Sequence, residues 1–473
     1  MQPILYQNVE CSVTLIDIPT SIAAAQGALY CRVTDTLLSS RPQEEPFPSP
    51  EPKTPVAATK IVKNTVDQEL HLMYKGIIEK ALAEIRQNVH GRWCLTRKLM
   101  QQTSSNLKER KANTASSAGA GDLENMETKL SQALESLQDQ RGGTGGGISS
   151  LVPSLSPCSE PGSGKPDSWV MSYVAIDHED EECLQDGGTL KKYQELWEPS
   201  FHNASNELLE VSVFEASNPS APSTSPLVFK IPPRATFFLH DCTQPGSFRA
   251  EFRDITQDYD LPLRFDFILL DPPWPNSSVR RRSAYVTQPT VNDIKKMILR
   301  MDLDTYMKRS GLVGIWITNK PALRSMVLGP GGLFERLGVS LIEEWIWIKT
   351  TASGEPVFSL DSAWRKPYEV LLLGRVASDP WIGTEAVPDI QRRVIAGVPD
   401  LHSRKPCLKE LIGLFMPETT EYSALEIFSR YLVAGWCSWG NEVLKFNWQG
   451  YWVTASLEES TYLAAEMDYD MEQ

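Results

Sequence analysis

From about residue 207 onward the chain is built of short apolar runs rich in Val, Ile and Phe, separated by turn residues and by one or two helical patterns. This texture constrains the fold more than any other feature. The runs predict strands at 211–215, 226–231, 235–240, 265–270, 311–318, 341–348, 369–373 and 424–428. Segments such as Phe267-Ile268-Leu269-Leu270 are apolar on both faces, as strands inside a covered sheet are. Helices are predicted at 290–309, opened by Thr290 with Asp293 three residues on, and at 406–416, with Pro406 at its start. Alternating strands and helices imply an α/β sandwich with helices on both faces.

In such a sheet, ligands gather where strands end at their carboxyl edge. The residue following Leu270 is Asp271, in the tetrad Asp271-Pro272-Pro273-Trp274. A carboxylate, a carbonyl held in place by two prolines and a flat aromatic suit a particular chemistry. The exocyclic amine of adenine is a poor nucleophile because its lone pair is delocalised into the ring. Two acceptors on its protons, the Asp271 carboxylate and the Pro272 carbonyl, would draw that pair out toward an incoming methyl group. Trp274 would stack an extruded base or face the sulfonium of a methyl donor. The same four residues also describe an ordinary turn followed by a core aromatic.

The rest of the chain divides differently. Residues 40–58 are Pro-rich and acidic and 141–168 are Gly/Ser/Pro-rich, so both read as linkers. Between them, Leu70, Met73, Ile77, Ala81 and Ile85 recur at helical spacing and stop at Gly91, while Met126, Leu130, Ala133 and Leu137 mark a second stripe. These are expected to be core faces of a small helical domain, with a docking face for RNA or a protein as the other reading. The expected layout is an N-terminal region over 1–140, a linker over 141–168, an intermediate segment over 169–234 packing on the catalytic domain, that domain over 235–456, and an acidic tail over 457–473.

Eight cysteines stand singly, with no pair at zinc or redox spacing, so free thiols in a reducing compartment and no metal are expected. Glu10 and Asp17 interrupt the start where a signal peptide needs an apolar run, and no stretch reaches the roughly 18 apolar residues of a membrane helix. An intracellular, soluble protein without a membrane partner follows as the expectation. A net charge of −14 argues against a broad basic face, so nucleic acid would be held by a local cluster.

The segment FDFILLDPPWPN resembles the core of the MT-A70 family of adenine-N6 methyltransferases. GLVGIWITN, EEWIWIKT, SRKP and EIFSRYLVAGWCSWGNEVLK follow in the family's order, so the resemblance covers the C-terminal half. It implies a Rossmann-like class I methyltransferase sheet, permuted so that the catalytic motif precedes the cofactor motif, with S-adenosylmethionine as cofactor. On that resemblance Arg430, Asn441 and Glu442 are candidates for the adenosine end of the cofactor, Lys405 for its carboxylate or the substrate, and Asp241 for its adenine edge. The family often carries Gly where this chain has Ser429.

The polar loop after the tetrad carries Asn276, Arg280, Arg281, Arg282 and Tyr285. The arginines suit phosphate contacts, Tyr285 a stacked base and Asn276 the substrate, against the alternative of a solvated loop. Trp345 and Trp347 lie two apart on one strand and read as core. Lys349, Arg365 and Lys366 either extend a basic rim or cover surface, and His240 and His402 are assigned no chemistry.

The resemblance is to a branch apart from the messenger-RNA methylase subunits. It implies nuclear RNA as substrate, specifically 2′-O-methyladenosine in the U2 species, with DNA adenine as the alternative, action as a monomer, and a nuclear or cytoplasmic location. The competing readings are an RNA-binding scaffold without activity, although the tetrad is intact here, and an amino-methylase for another base or a protein amide.

Overall fold

The computed structural model describes residues 2–27, 35–48, 67–100, 120–138, 169–176, 190–215, 226–275, 290–362, 365–376, 390–416 and 422–454. The strands are β1 (Ile4–Gln7), β2 (Val13–Ile16), β3 (Asp35–Leu37), β4 (Trp169–Ile176), β5 (Leu190–Leu196), β6 (Ser200–His202), β7 (Leu209–Glu215), β8 (Leu227–Ile231), β9 (Thr236–Phe238), β10 (Phe265–Leu270), β11 (Met307–Ile317), β12 (Val339–Lys349), β13 (Tyr368–Val376), β14 (Gln391–Gly397), β15 (Ala424–Ile427), β16 (Cys437–Trp439) and β17 (Trp452–Thr454). The helices are α1 (Ile18–Ala24), α2 (Gln68–Asn88), α3 (Ala120–Gln138), α4 (Pro245–Asp258), α5 (Val291–Arg300), α6 (Pro321–Leu328), α7 (Leu333–Arg336) and α8 (Lys409–Gly413).

The main sheet has eleven strands in the order β1-β2-β14-β12-β13-β11-β10-β15-β16-β9-β6. Six of its ten junctions are parallel, which makes it a mixed, mostly parallel sheet. From β9 through β12 the order is the class I methyltransferase arrangement. Five parallel strands are followed by β13, antiparallel to both its neighbours. Apolar clusters cover both faces, and β10 buries residues on each, Ile268 and Leu270 in one and Phe267 and Leu269 in the other. A four-stranded antiparallel sheet, β5-β4-β7-β8, and the β3–β17 pair stand beside it.

The eight predicted strands are present, and the differences fall elsewhere. The 290–309 helix stops at Arg300, because Asp302 takes a left-handed φ of 52° and a single 3-10 turn leads straight into β11. Its start is as expected, with the Thr290 side chain accepting from Asp293 N. The 406–416 helix shrinks to Lys409–Gly413. In α2 the buried face is rotated: His71, Tyr74, Ile78, Ala81, Leu82 and Ile85 point inward and Met73 is exposed.

The two amphipathic helices do not form a domain of their own. Helix α2 packs into the cluster on one face of the main sheet, and α3 packs through Leu130, Leu134 and Leu137 into the other. The N-terminal region also adds β1 and β2 to the sheet, with β2 parallel to β14. The described half of the Pro-rich stretch is pinned rather than free: Ser40 N donates to Asp400 Oδ1 at 2.7 Å and Phe47 N to Val357 O at 2.8 Å. Residues 141–168 and 457–473 lie outside the described residues.

Candidate active site

Asp271 follows β10 directly, and its N–H donates to Ile427 O of β15 at 3.3 Å. Its carboxylate is thereby fixed at the carboxyl edge between two adjacent parallel strands. The rest of the tetrad folds back tightly. Trp274 N donates to Pro272 O at 2.8 Å, closing a three-residue turn through Pro273, whose ring fixes φ in the range that turn requires. One lone pair of the Pro272 carbonyl remains for another donor. The Trp274 indole N–H donates to Trp316 O at 2.7 Å, so its ring is tied to the end of β11.

Around Asp271 runs a chain of alternating charges. Lys349 Nζ lies 2.6 Å from Glu369 Oε1, and Glu369 Oε2 lies 2.9 Å from Lys405 Nζ. Lys405 Nζ is 3.1 Å from Asp271 Oδ1, and Arg430 is 3.5 Å from Asp271 Oδ2. Arg430 continues to Glu442 at 3.2 Å, and Lys445 reaches the same carboxylate at 3.3 Å. Burial alone would lower the Lys405 ammonium, but Asp271 and Glu369 lift it above its ordinary value. Burial would likewise raise the Glu369 carboxyl, yet Lys405 and Lys349 hold it well below the usual carboxylate range. The Lys405 ammonium also faces the rings of Trp316 and Trp347, at 5.3 and 5.9 Å from their centroids. Trp345 and Trp347 are buried in the core as expected, Trp316 is buried with them, and Trp316 and Trp347 double as one wall of the site.

Beside this chain lies Glu426, on β15 opposite Leu269. It is buried, one of its oxygens has no hydrogen-bond partner, and burial, then the Asp271 charge, push its carboxyl up to about 8.

The cofactor-side candidates gather at the ends of β9 and β16. Asn441 Oδ1 accepts from Cys242 N at 3.2 Å and its Nδ2 reaches Asp241 Oδ1 at 3.4 Å, while Asp241 holds Thr243 through backbone and hydroxyl. Gly440 passes so near the loop after β15 that a Cβ there would lie 2.9 Å from Ser429 O. In that loop Phe428 adopts a left-handed φ of 64°. Ser429 fits in place of glycine because it is buried and its hydroxyl donates to Tyr431 O at 2.5 Å. Carboxylates at Asp241 and Glu442 for hydroxyls, an ammonium at Lys405 for a carboxylate and the unpartnered Glu426 oxygen form a donor and acceptor set that fits an aminoacyl nucleoside sulfonium.

Asp271 to Trp274, Asp241, Lys405, Arg430, Asn441 and Glu442 are therefore brought to one edge of the sheet. Asn276, Arg280, Arg281, Arg282 and Tyr285 lie outside the described residues. Lys366 is not on the rim: it bonds His71 and Leu360 O on the α2 side. His240 pairs with Glu251 at 2.5 Å and His402 with Ser403 at 2.8 Å. Sequence reasoning missed Glu369, Glu426 and Lys445, and left Lys349 undecided. Glu426 and Lys445 sat inside quoted segments, and the one signal for Glu369 was a carboxylate opening an otherwise apolar strand.

Comparison with known proteins agrees with this geometry. The MT-A70 family matches residues 265–442. The chain is 39% identical over 239 residues to "N6-methyladenosine RNA methyltransferase MTA1" of Cryphonectria parasitica, covering 50% of this chain and 66% of that protein. It is 42% identical over 195 residues to the protein of that name in Pyricularia oryzae, covering 40% of this chain and 50% of the relative. It is 35% identical over 235 residues to mouse "N(6)-adenine-specific methyltransferase METTL4", covering 48% of this chain and 45% of the relative. The chain thus spans between 45% and 66% of these relatives' lengths. With the tetrad at a strand end, the class I strand order and the match over β10 to β16, residues 265–442 form an MT-A70 domain.

Proposed function

We propose that the chain transfers a methyl group from S-adenosylmethionine to N6 of an adenine in nucleic acid. The observation that carries this reading is the pairing of the Asp271 carboxylate with the Pro272 carbonyl at the carboxyl edge of β10, backed by Lys405 and Arg430. When bound, S-adenosylmethionine supplies a methyl carbon activated by a sulfonium. Asp271 and Pro272 accept hydrogen bonds from the two N–H groups of the amine and draw its lone pair out of conjugation with the ring. Methylation would leave N6 with a surplus proton, which the Asp271 carboxylate, already hydrogen-bonded to that nitrogen, is placed to accept. Lys405 and Arg430 orient that carboxylate, and Trp274 stacks the extruded base.

The names of the fungal relatives favour RNA over DNA. The finer reading is 2′-O-methyladenosine in a U2-type small nuclear RNA, methylated by the chain acting alone in the nucleus. Purified protein with labelled donor and matched oligonucleotides tests the substrate: RNA with and without 2′-O-methyladenosine, single-stranded DNA and duplex DNA. Transfer undiminished by Asp271→Ala would sink the mechanism. Light scattering of the active protein and imaging of the tagged chain test the remaining two parts.

A further inference from the structure

On the face of the sheet that carries α2, a cavity of about 390 Å³ opens between α2 and α6. Its floor is the carboxyl end of β11 with the facing start of β13. Two atoms in that floor, Thr318 Oγ1 and Asn319 Oδ1, are buried without a hydrogen-bond partner. Native structures leave few such groups unexplained. The Asn319 amide is oriented by its own Nδ2, which donates to Tyr368 O at 2.7 Å, so the atom left unpartnered is an acceptor. The rings of His71, Tyr74 and Tyr368 form part of the walls. The Tyr74 ring stands edge-on to Tyr368 with centroids 5.9 Å apart, and Tyr368 stacks on His71 with an interplanar angle of 6°.

The cavity adjoins the tetrad. Lys320, at its mouth, donates to Pro275 O at 2.7 Å, the residue after Trp274. Ile317 in its floor directly follows Trp316, whose carbonyl holds the Trp274 indole. Asp241, Arg430, Asn441 and Glu442, suited to the cofactor, lie on the other side of β10, beyond the ends of β9, β15 and β16.

We propose that this cavity receives the base of the nucleotide next to the target adenine. The proposal rests on the reading of the chain as a nucleic-acid adenine methyltransferase. Every base offers a flat face for the tyrosine walls and an N–H donor, exocyclic or in the ring, for Asn319 Oδ1 and Thr318 Oγ1. Arg324, which donates to the Tyr74 hydroxyl at 3.1 Å and is ion-paired with the buried Glu344, holds that wall in place.

The test uses the full chain and single-stranded oligonucleotides that carry the target adenine with both neighbours intact, or with an abasic site on its 5′ or its 3′ side. Binding is followed by fluorescence anisotropy in parallel with methyl transfer. One abasic substitution is expected to raise both the dissociation constant and KM by about 10–100-fold with kcat little changed. Ser325→Trp, on an exposed position of α6 that lines the cavity, is expected to produce the same increase on the intact strand and to abolish the difference between intact and abasic strands. Thr318→Val, which keeps the shape and removes the hydroxyl, is expected to raise KM by about 3–10-fold. Equal binding and transfer for all three strands, or a folded Ser325→Trp that still discriminates them, overturns the proposal and leaves the catalytic reading standing. Discrimination in binding without transfer on any strand supports the cavity and overturns the catalytic reading.

Discussion

Lys405 and Asp271 stand 3.1 Å apart, ammonium to carboxylate, with Glu369 at 2.9 Å on the same nitrogen. Removing the ammonium leaves two carboxylates without their shared cation, in a place where water cannot replace it fully. Lys405→Met is expected to cost about 3 kcal/mol of stability and to lower kcat by about 10²–10³-fold. Glu369→Gln keeps Lys405 on Asp271 and is expected to cost about tenfold. Denaturant unfolding with steady-state kinetics checks both, and a Lys405→Met enzyme within twofold of wild type would show that Asp271 is held by other means.

Trp274 combines two contributions that substitution can separate. Trp274→Phe keeps a stacking face but loses the bond to Trp316 O, so a few-fold rise in KM for the nucleic acid is expected. Trp274→Ala loses the face as well and is expected to raise KM by about 10–100-fold. Equal KM values for the two variants would remove the stacking role.

Glu426 makes stability depend on pH with a definite sign. Its folded carboxyl titrates near 8, against an unfolded value of 4.5. Between those values the folded state carries a proton that the unfolded state has lost, so stability falls as pH rises, with a limiting slope of about 1.4 kcal/mol per pH unit. The penalty is absent below the unfolded value and complete above the folded one. Glu426→Gln is expected to flatten the profile between pH 5 and 8, and unfolding midpoints across that range measure it. A wild-type profile parallel to that of the variant would refute the assignment.

Gly440 leaves no room for a side chain beside the Ser429 backbone. Gly440→Ala is expected to push apart the loops after β15 and β16 and to weaken methyl-donor binding by about tenfold or more, since Arg430 and Asn441 flank that contact. Calorimetric titration with the donor checks this, and unchanged affinity would show that the loops move freely.

Residues 265–275 were legible because local and tertiary preferences coincide there: a run apolar on both faces can only be an inner strand, and a polar residue after it can only be at the rim. The face of α2 was misjudged because His71 and Tyr74 do not count as apolar in a periodicity argument, yet a shared hydrogen-bond and ring network with Tyr368 buries them. The partnership of Glu369 with Lys405 was not legible at all. It depends on β13 running antiparallel between β12 and β11, which places residue 369 at the same edge as residue 271. Nor could β1 and β2 be seen, since four-residue strands carry little pattern and their partner lies far along the chain.

That last junction sets a timetable for biosynthesis. Val13 pairs with Val394, so β2 leaves the ribosome about 380 residues before its partner. At about 5–20 residues per second the strand waits roughly 20–75 s without its neighbour. Throughout that interval an apolar strand with open hydrogen-bonding groups invites pairing with other chains. The nascent protein therefore needs a temporary companion for that strand, and its yield on expression should depend more on chaperone capacity than on the stability of the finished fold.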